Sequence, residues 1–340
     1  MPQKTNYLGV WLVAVPNGSL NAPVGQWGGF AWLTVNCTNQ GWLFTTLAGI
    51  PGVSGWLDGQ AANSLFNWPT AAAVDRFTNI YVADGSNNVI RLLTPDGTVT
   101  TIAGQTGVAG SADGLGSNAQ FSLPSGAYNC GGTLGNEWWF DITAGIAVTV
   151  TDSATNIYVA DTLNSTICML TRLSTGWWVS TIAGSASNFW SQDGDGLNAR
   201  FGYPSGLAVD ANGNLYVADA YYCVIRKLTH SAQGWMVSTL AGSPGLHGNA
   251  DGTGADAGFF IPMGVAVDNS GNVYVADTGN CTIRKVTPSG VVTTLAGNTV
   301  GGFLGVAGFA DGMGTNALFG YPSGLAVDAA GYIYVADTFT

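Results

Sequence analysis

Pro204-Ser-Gly-Leu-Ala-Val-Asp210, Leu215-Tyr-Val-Ala-Asp219, Val224-Ile-Arg-Lys-Leu-Thr229 and Trp235-Met-Val-Ser-Thr-Leu-Ala-Gly242 decide the fold. Each run is short, apolar and rich in β-branched or aromatic side chains, as strands are. Ala211-Asn-Gly-Asn214 separates the first two, and Asn-Gly is a turn that joins antiparallel strands. No helical period is present, so residues 204–242 predict four antiparallel strands in sequence.

The unit recurs. Tyr-Val-Ala-Asp ends at Asp84, Asp161, Asp219, Asp277 and Asp337, and Thr-(Leu/Ile)-Ala-Gly ends at Gly49, Gly104, Gly184, Gly242 and Gly297. A four-stranded unit repeated at this period predicts an all-β chain, a β-propeller of four-stranded antiparallel blades. The connections between units share a second signature, Asp-Gly followed by Phe, at Asp58 to Phe66, Asp113 to Phe121, Asp193 to Phe201, Asp251 to Phe259 and Asp311 to Phe319. Asp-Gly suits a turn, and the Asn-Ala-x-Phe segment predicts one helical turn that seats its Phe between blades.

Pro-x-Gly-(Leu/Val)-Ala-Val-Asp at 204–210, 262–268 and 322–328, the Tyr-Val-Ala-Asp strand, Asn280 to Lys285 and the Thr-Leu-Ala-Gly closure recur in fixed order. In this the chain resembles the NHL-repeat β-propeller family, over about residues 28–340. Two copies depart from the pattern. Pro69-Thr-Ala-Ala-Ala-Val-Asp75 lacks the Gly, and an insertion at about 125–144 carries Cys130, Glu137, Trp138 and Trp139.

Full units begin at Pro69, Pro124, Pro204 and Pro262, and Pro322 to Asp337 supplies two strands of a fifth. Phe30–Val35 and Trp42–Gly49 match the third and fourth strands. Five blades are therefore expected, the last shared between the N- and C-terminal segments, because joining them removes two open edges. Six is the alternative, with Trp11–Val15 a degenerate Tyr-Val-Ala-Asp strand and residues 1–27 an extension or extra strand. Pairing of the half-blades between molecules would instead give a homo-polymer.

Composition narrows the partners. Only 9% of residues are charged, against about 25% in ordinary domains. Net charge is −11 with nine Lys plus Arg, which disfavours nucleic acid and anionic membranes as partners. Arg226-Lys227 and Arg284-Lys285, which would suit RNA in relatives, are expected on a solvated outer strand. Such a sparsely charged chain fits an extracellular or cell-surface location. Asn17, Asn36, Asn164 and Asn280 are Asn-x-(Ser/Thr) glycosylation candidates, with Asn164 and Asn280 in one exposed loop position. Pairing of Cys37, Cys130, Cys168, Cys223 and Cys281 stays open, except that Cys223 and Cys281 occupy equivalent positions on neighbouring blades and are expected apart.

The five Asp of Tyr-Val-Ala-Asp are expected to be structural, accepting N–H bonds in the following turn, as are Asp75, Asp210, Asp268 and Asp328 in the hairpins. Asp193 and Asp195 offer the best calcium loop, but no acid follows a dozen positions later, so turn chemistry is preferred and no cofactor is expected. His230 and His247 are the only histidines, too few for a three-ligand zinc site of the kind some propeller lyases hold. Tyr221, Tyr222, Trp138 and Trp139 are the candidates for a binding face among the long loops. The sequence thus predicts a non-catalytic binding or structural module that recognises protein or glycan or assembles with itself. A propeller hydrolase or lyase with a metal at the channel mouth is the alternative.

Overall fold

The computed structural model describes residues 8–13, 31–38, 41–124, 127–129, 139–141, 143–151, 154–186, 188–298 and 307–338. Four antiparallel sheets of one plan follow one another along the chain, and the fold is the expected β-propeller. In the third blade, Pro204–Val209, Leu215–Asp219, Val224–Ser231 and Gly234–Ala241 pair in that order. The first blade repeats this from Pro69–Val74, the second from Ile146–Val150 and the fourth from Pro262–Val267.

The blades differ from the expected four strands by a fifth. The Asp-Gly segment ahead of each blade forms a two-residue strand on its outer edge: Gly59–Gln60, Gly114–Leu115, Gly194–Asp195 and Gly252–Thr253. Gly194 pairs with Val237 and Asp195 with Met236, so the connector covers an edge that would otherwise stay open. A single 3-10 turn follows, Gly196–Asn198 in this blade, and delivers Phe201 to the interior, as the Asn-Ala-x-Phe spacing predicts.

The termini depart further from expectation. Pro322–Val327 and Ile333–Asp337 form a two-stranded sheet, and the N-terminal strands form a separate three-stranded one. There Leu8–Val13 pairs with Ala31–Thr38, which pairs with Gly41–Thr46. Trp11, Leu12 and Val13 lie opposite Leu33, Trp32 and Ala31, the register that Tyr216, Val217 and Ala218 keep against Lys227, Arg226 and Ile225. Leu8–Val13 is therefore the degenerate second strand. It holds the edge of Ala31–Thr38 that the five-blade expectation reserved for the C-terminal strands. The insertion forms a small hairpin of Ala127–Asn129 with Trp139–Asp141.

The chain divides into two compact units. One comprises residues 1–125, 150–155 and 171–179, the other 126–149, 156–170 and 180–340. Within the second, Tyr216, Ala218 and Ile225 of one blade pack with Val265, Val273 and Val275 of the next. Both faces of the second strand are covered, so all five residues of Leu215–Asp219 are buried although the strand does not alternate. The Tyr of each repeat reaches back to the hairpin acid: Tyr216 donates to Asp210 at 3.2 Å and Tyr274 to Asp268 at 3.0 Å. The same acids take backbone N–H groups of their own turns, as expected from the sequence.

The Gly of Pro-x-Gly has a steric cause. A Cβ on Gly206 would run into the Met263 carbonyl, and one on Gly264 into the Ser323 carbonyl, so innermost strands of successive blades approach backbone to backbone. Gly324, at the same repeat position, would place its Cβ against only the Ala336 side chain at 3.5 Å. Gly206→Ala and Gly264→Ala are expected to lower unfolding free energy by about 1–3 kcal/mol or more, the cost of overpacking. Gly324→Ala is expected to cost less than either. Urea unfolding measures all three, and equal costs would remove the close approach as the reason for the glycine.

Candidate functional site: the connector surface of the second unit

A buried guanidinium holds the connector. Arg226, on the third strand, is wholly buried. Its Nη1 donates to Asp219 Oδ2 at 3.0 Å and to the Arg200 carbonyl at 3.0 Å. Its Nη2 donates to Asp193 Oδ1 and the Gln192 carbonyl, both at 2.8 Å. The guanidinium carbon lies 5.0 Å from the centre of the Phe201 ring. Arg91 repeats the arrangement with Asp84, Asp58, the Leu65 and Leu57 carbonyls and Phe66. Arg284 does so with Asp277, Asp251, the Gly258 and Ala250 carbonyls and Phe259. The four N–H donors used form a fixed fork that only arginine presents.

Several expectations change here. Arg226 and Arg284 are not on a solvated surface, because their charge is consumed inside the blade. Lys227 and Lys285, their neighbours, lie over the Tyr216 and Tyr274 rings instead. The Tyr-Val-Ala-Asp acids are structural, but their backbone partner lies upstream. Asp84 accepts from Asn67 N–H, Asp219 from Gly202, Asp277 from Phe260 and Asp337 from Gly320. The oxygens of Asp193 are engaged within the blade: one accepts from Arg226 and Thr239 Oγ1, the other from the Thr239 N–H at 3.0 Å. Asp195 is exposed beside it. Among the described residues no group of three or more His, Cys, Asp or Glu is placed to hold a metal.

The glycosylation candidates fare differently. Asn280 is fully buried, and its amide donates to Asp277 and to the Gly248 carbonyl, so it is unavailable to a glycan. Asn164 is half-buried and donates to Asp161 at 2.7 Å, the same repeat contact. Asn36 lies in the strand Ala31–Thr38, and Asn17 lies outside the described residues. Trp138 and Cys130 also lie outside them, as do the side chains of Trp139 and Cys37.

One position after the loop Asn, a side chain latches the next connector. Asn88 Oδ1 accepts the Leu123 N–H at 2.8 Å, and Cys223 Sγ accepts the Ile261 N–H at 3.4 Å. Cys168, Cys223 and Cys281 are buried thiols, so Cys223 and Cys281 are unjoined, as expected. Cys223 Sγ also lies 3.4 Å from His247 Nδ1. Burial lowers the His247 pKa, and its ring packs edge-on against Phe260.

Above Gly202 and Asp219 sits an aromatic cluster. Phe189 contacts Tyr203 at 4.7 Å, Tyr221 at 4.6 Å and Tyr222 at 5.7 Å between ring centres. Trp190 meets Tyr222 at 6.3 Å. Trp190 is 65% exposed and Phe189 37%. Tyr203 has a φ of +54°, and Trp68, Ile261 and Tyr321 adopt similar values before their own prolines, so this strain belongs to the repeat. A shallow cavity of about 350 Å³ is lined by Ser191, Gln192, Asp193, Thr239, Pro244, Ala255 and glycine backbone. Tyr221 and Tyr222 were legible in the sequence; Phe189, Trp190 and Tyr203 were missed. The available signal was two adjacent aromatics in a connector where no strand demands them.

The NHL repeat pattern matches residues 201–223 and 261–286. Over 302 residues the chain is 30% identical to the Arabidopsis thaliana protein named SUPPRESSOR OF QUENCHING 1, chloroplastic, covering 85% of this chain and 26% of that protein. It is 30% identical over 295 residues to human NHL repeat-containing protein 2, covering 83% and 39%. The chain thus spans well under half the length of these curated relatives. A crystal structure of an auxiliary nutrient binding protein from Bacteroides thetaiotaomicron aligns at a TM-score of 0.48 with 17% identity, covering 92% of this chain and 81% of that one.

Two outcomes follow from the buried charges. Arg226→Ala leaves Asp219 uncompensated and is expected to cost about 3–5 kcal/mol of stability, whereas Lys227→Ala, a half-buried side chain over the buried Tyr216 ring, is expected to cost about 1 kcal/mol. Urea midpoints compare the two, and near-equality would contradict the network's role.

The second outcome is a pH dependence. Burial pushes Asp84 up to about 6, against the pull of Asn87, the Asn67 N–H and Arg91. Burial lifts Asp219 to about 7, against Arg226 and the Gly202 N–H, and it raises Asp277 too. Asp328 is held low by the Tyr332 N–H. Asp268 is also low, because Asn272, Tyr274 and Ser270 outweigh its burial. Stability tied to a raised carboxyl is full below its unfolded value of about 4 and fades as pH climbs through the folded one; a lowered carboxyl loses its share as pH falls. The thermal midpoint is therefore expected to peak between about pH 4 and 6. A midpoint that climbs steadily from pH 5 to pH 8, by calorimetry, would refute this.

Proposed function

The chain is an NHL-repeat β-propeller, and on that premise we propose that it is a non-catalytic binding module whose recognition surface is the aromatic cluster of the second unit. The observation that carries this reading is the five rings of Phe189, Trp190, Tyr203, Tyr221 and Tyr222 in mutual contact, with two of them exposed. Exposed aromatics on a rigid base are the usual anchors of recognition, because large area is gained with few rotors to freeze.

The connector that carries Phe189 and Trp190 is fixed at Gln192 and Asp193 by Arg226, and Tyr221–Tyr222 follows the buried Asp219. The rings thus stand on rigid supports, which limits the ordering cost of binding. The nearest acid is already paired with arginine, so the surface suits a partner of low charge, a protein segment or a glycan. An extracellular or cell-surface setting belongs to the same reading and rests on the scarcity of charge.

A metal-dependent hydrolase or lyase finds no support among the described residues. His230 packs at a tilt against Trp235 and His247 edge-on against Phe260, in separate contacts.

The test uses the whole chain immobilised for surface plasmon resonance against defined peptides and neutral glycans, beside a variant carrying Trp190→Ala and Tyr222→Ala. A ligand held by the native surface and lost by a variant with an unchanged thermal midpoint is the expected result. Equal binding by both proteins, or a tightly held stoichiometric divalent ion together with turnover, would overturn the reading.

A further inference from the structure

Ile80-Tyr-Val-Ala-Asp84 and Ile333-Tyr-Val-Ala-Asp337 are the same five residues. The first run is buried throughout, whereas every residue of the second is only half-buried. In the first, third and fourth blades a third strand lies along the far edge of this one. Ile333–Asp337 pairs with Pro322–Val327 on one side and, among the described residues, with no strand on the other. We propose that this edge docks an extended segment of a partner polypeptide, and that an arginine of that segment places its guanidinium between Asp337 and Asp311.

Asp337 carries the argument. Its Oδ2 accepts the Gly320 N–H at 2.9 Å, as Asp219 Oδ1 accepts the Gly202 N–H. The other oxygen of Asp219 accepts from Arg226. The other oxygen of Asp337 is buried and has no hydrogen-bond partner among the described residues. A buried acceptor left unmatched is costly, and an incoming donor recovers that cost. Burial raises the Asp337 carboxyl with only the Gly320 N–H opposing it, whereas Arg226 and Arg284 also pull on Asp219 and Asp277.

The remaining groups that receive Arg226 recur beside Asp337. Gln192 and Arg200 exchange backbone hydrogen bonds across their connector, and both carbonyls also accept from Arg226. Ala310 and Leu318, at the same repeat positions, exchange the same pair of bonds. Asp311 stands where Asp193 does and is exposed, and Phe319 stands where Phe201 does but is half-buried. Two carboxylates, two carbonyls and a phenyl ring suit a planar guanidinium with its fork of donors, and suit an ammonium poorly. Neither acid is ion-paired among the described residues, so the charge also matches a cationic side chain.

Strand addition supplies the rest. An exposed edge offers backbone donors and acceptors to an extended segment, and the side chains set its register. Arg226 lies opposite Val217 and Arg284 opposite Val275, so the incoming arginine falls opposite Val335. A second copy of this chain is a poor source. Arg91, Arg226 and Arg284 are consumed within their own blades. Arg76 and Arg172 lie over Phe77 and Trp177, and Arg200 donates to carbonyls of its own connector. The N-terminal strand Ala31–Thr38 contains no arginine.

The probe is a labelled peptide, Asn-Ser-Thr-Ile-Arg-Lys-Val, which copies residues 280–286 with serine in place of the cysteine. It is titrated with the whole chain by fluorescence anisotropy. Binding is expected, and it is expected to weaken at least about tenfold when lysine replaces the peptide's arginine, as loss of charge-assisted, forked hydrogen bonds implies. A similar loss is expected with Asp337→Asn. The peptide substitution leaves the protein untouched, so the outcome does not hang on the folding of that variant.

Absence of binding, or equal binding of the arginine and lysine peptides, would overturn the proposal. Sedimentation of the chain alone supplies the other arm. Self-association that is abolished in Asp337→Asn would assign the edge to a second copy, and the partner-segment proposal would fall.

Discussion

A guanidinium buried among two carboxylates, two carbonyls and a phenyl ring holds each connector of the first, third and fourth blades in place. Without it the Tyr-Val-Ala-Asp carboxylate would be a charge in a dry sheet, a state that costs several kcal/mol. With it, one side chain ties the second strand, the third strand and the incoming connector together. The connector then has only one course: along the outer edge as a two-residue strand, through a 3-10 turn, and inward at the Phe. The Phe ring lies about 5 Å from the guanidinium carbon, so packing and charge specify the same path. The second blade tests this logic. Cys168 stands where the others have Arg, and its Sγ lies near the Thr166 and Thr181 hydroxyls at 3.9 Å. A polar side chain of smaller reach occupies the site, and the blade keeps its fold. Its connector also keeps the same course, with Gly114–Leu115 on the edge, a 3-10 turn and a buried Phe121, so the arginine fastens its own connector but neither sets the path alone nor is a condition for forming a sheet.

The strand pattern was legible because it is local. Asn-Gly turns, β-branched runs and the recurring Pro-x-Gly each depend on neighbours within a few residues or on one steric contact. The interior Phe and the 3-10 turn could be read from spacing alone. The role of Arg226 could not. A basic pair on an alternating strand resembles a solvated edge, and the two acids that neutralise it lie 7 and 33 residues upstream. Asn280 failed for the same reason: a sequon reports a tripeptide, whereas burial depends on Gly248, which lies 32 residues away. The fifth strand escaped notice because two residues carry no periodicity. At the N-terminus, Trp11-Leu-Val was recognisable as a distorted repeat, but which strand holds the edge of Ala31–Thr38 is a competition between segments far apart in sequence.

The candidate site was half visible. Tyr221 and Tyr222 stood out because they interrupt a repeat position, whereas Tyr203 looked like one of several residues preceding Pro and Phe189–Trp190 fell in a stretch read only as linker. What unites them is the connector's fixed path. Once Gln192 and Asp193 are clamped to Arg226, the residues just ahead of them are set down over the turn at Tyr221. Elsewhere the equivalent connectors place other residues at this level, His247 among them, and no comparable ring cluster forms among the described residues.

This division of labour bears on how a repeat scaffold acquires a ligand. The residues that hold the connector are internal to the motif and recur in three blades. The residues that face outward from it, Phe189, Trp190 and the Gln192 side chain, take no part in that clamp, which uses the Gln192 backbone, Asp193 and, at 3.5 Å, the Ser191 hydroxyl. Substitution at those outward positions therefore leaves the clamp intact, so chemistry can vary there without loss of the blade. Asp193 belongs to both sets: its inner oxygens answer the fold and its exposed side faces the cavity. A site built this way inherits its rigidity from the repeat and its specificity from a single connector.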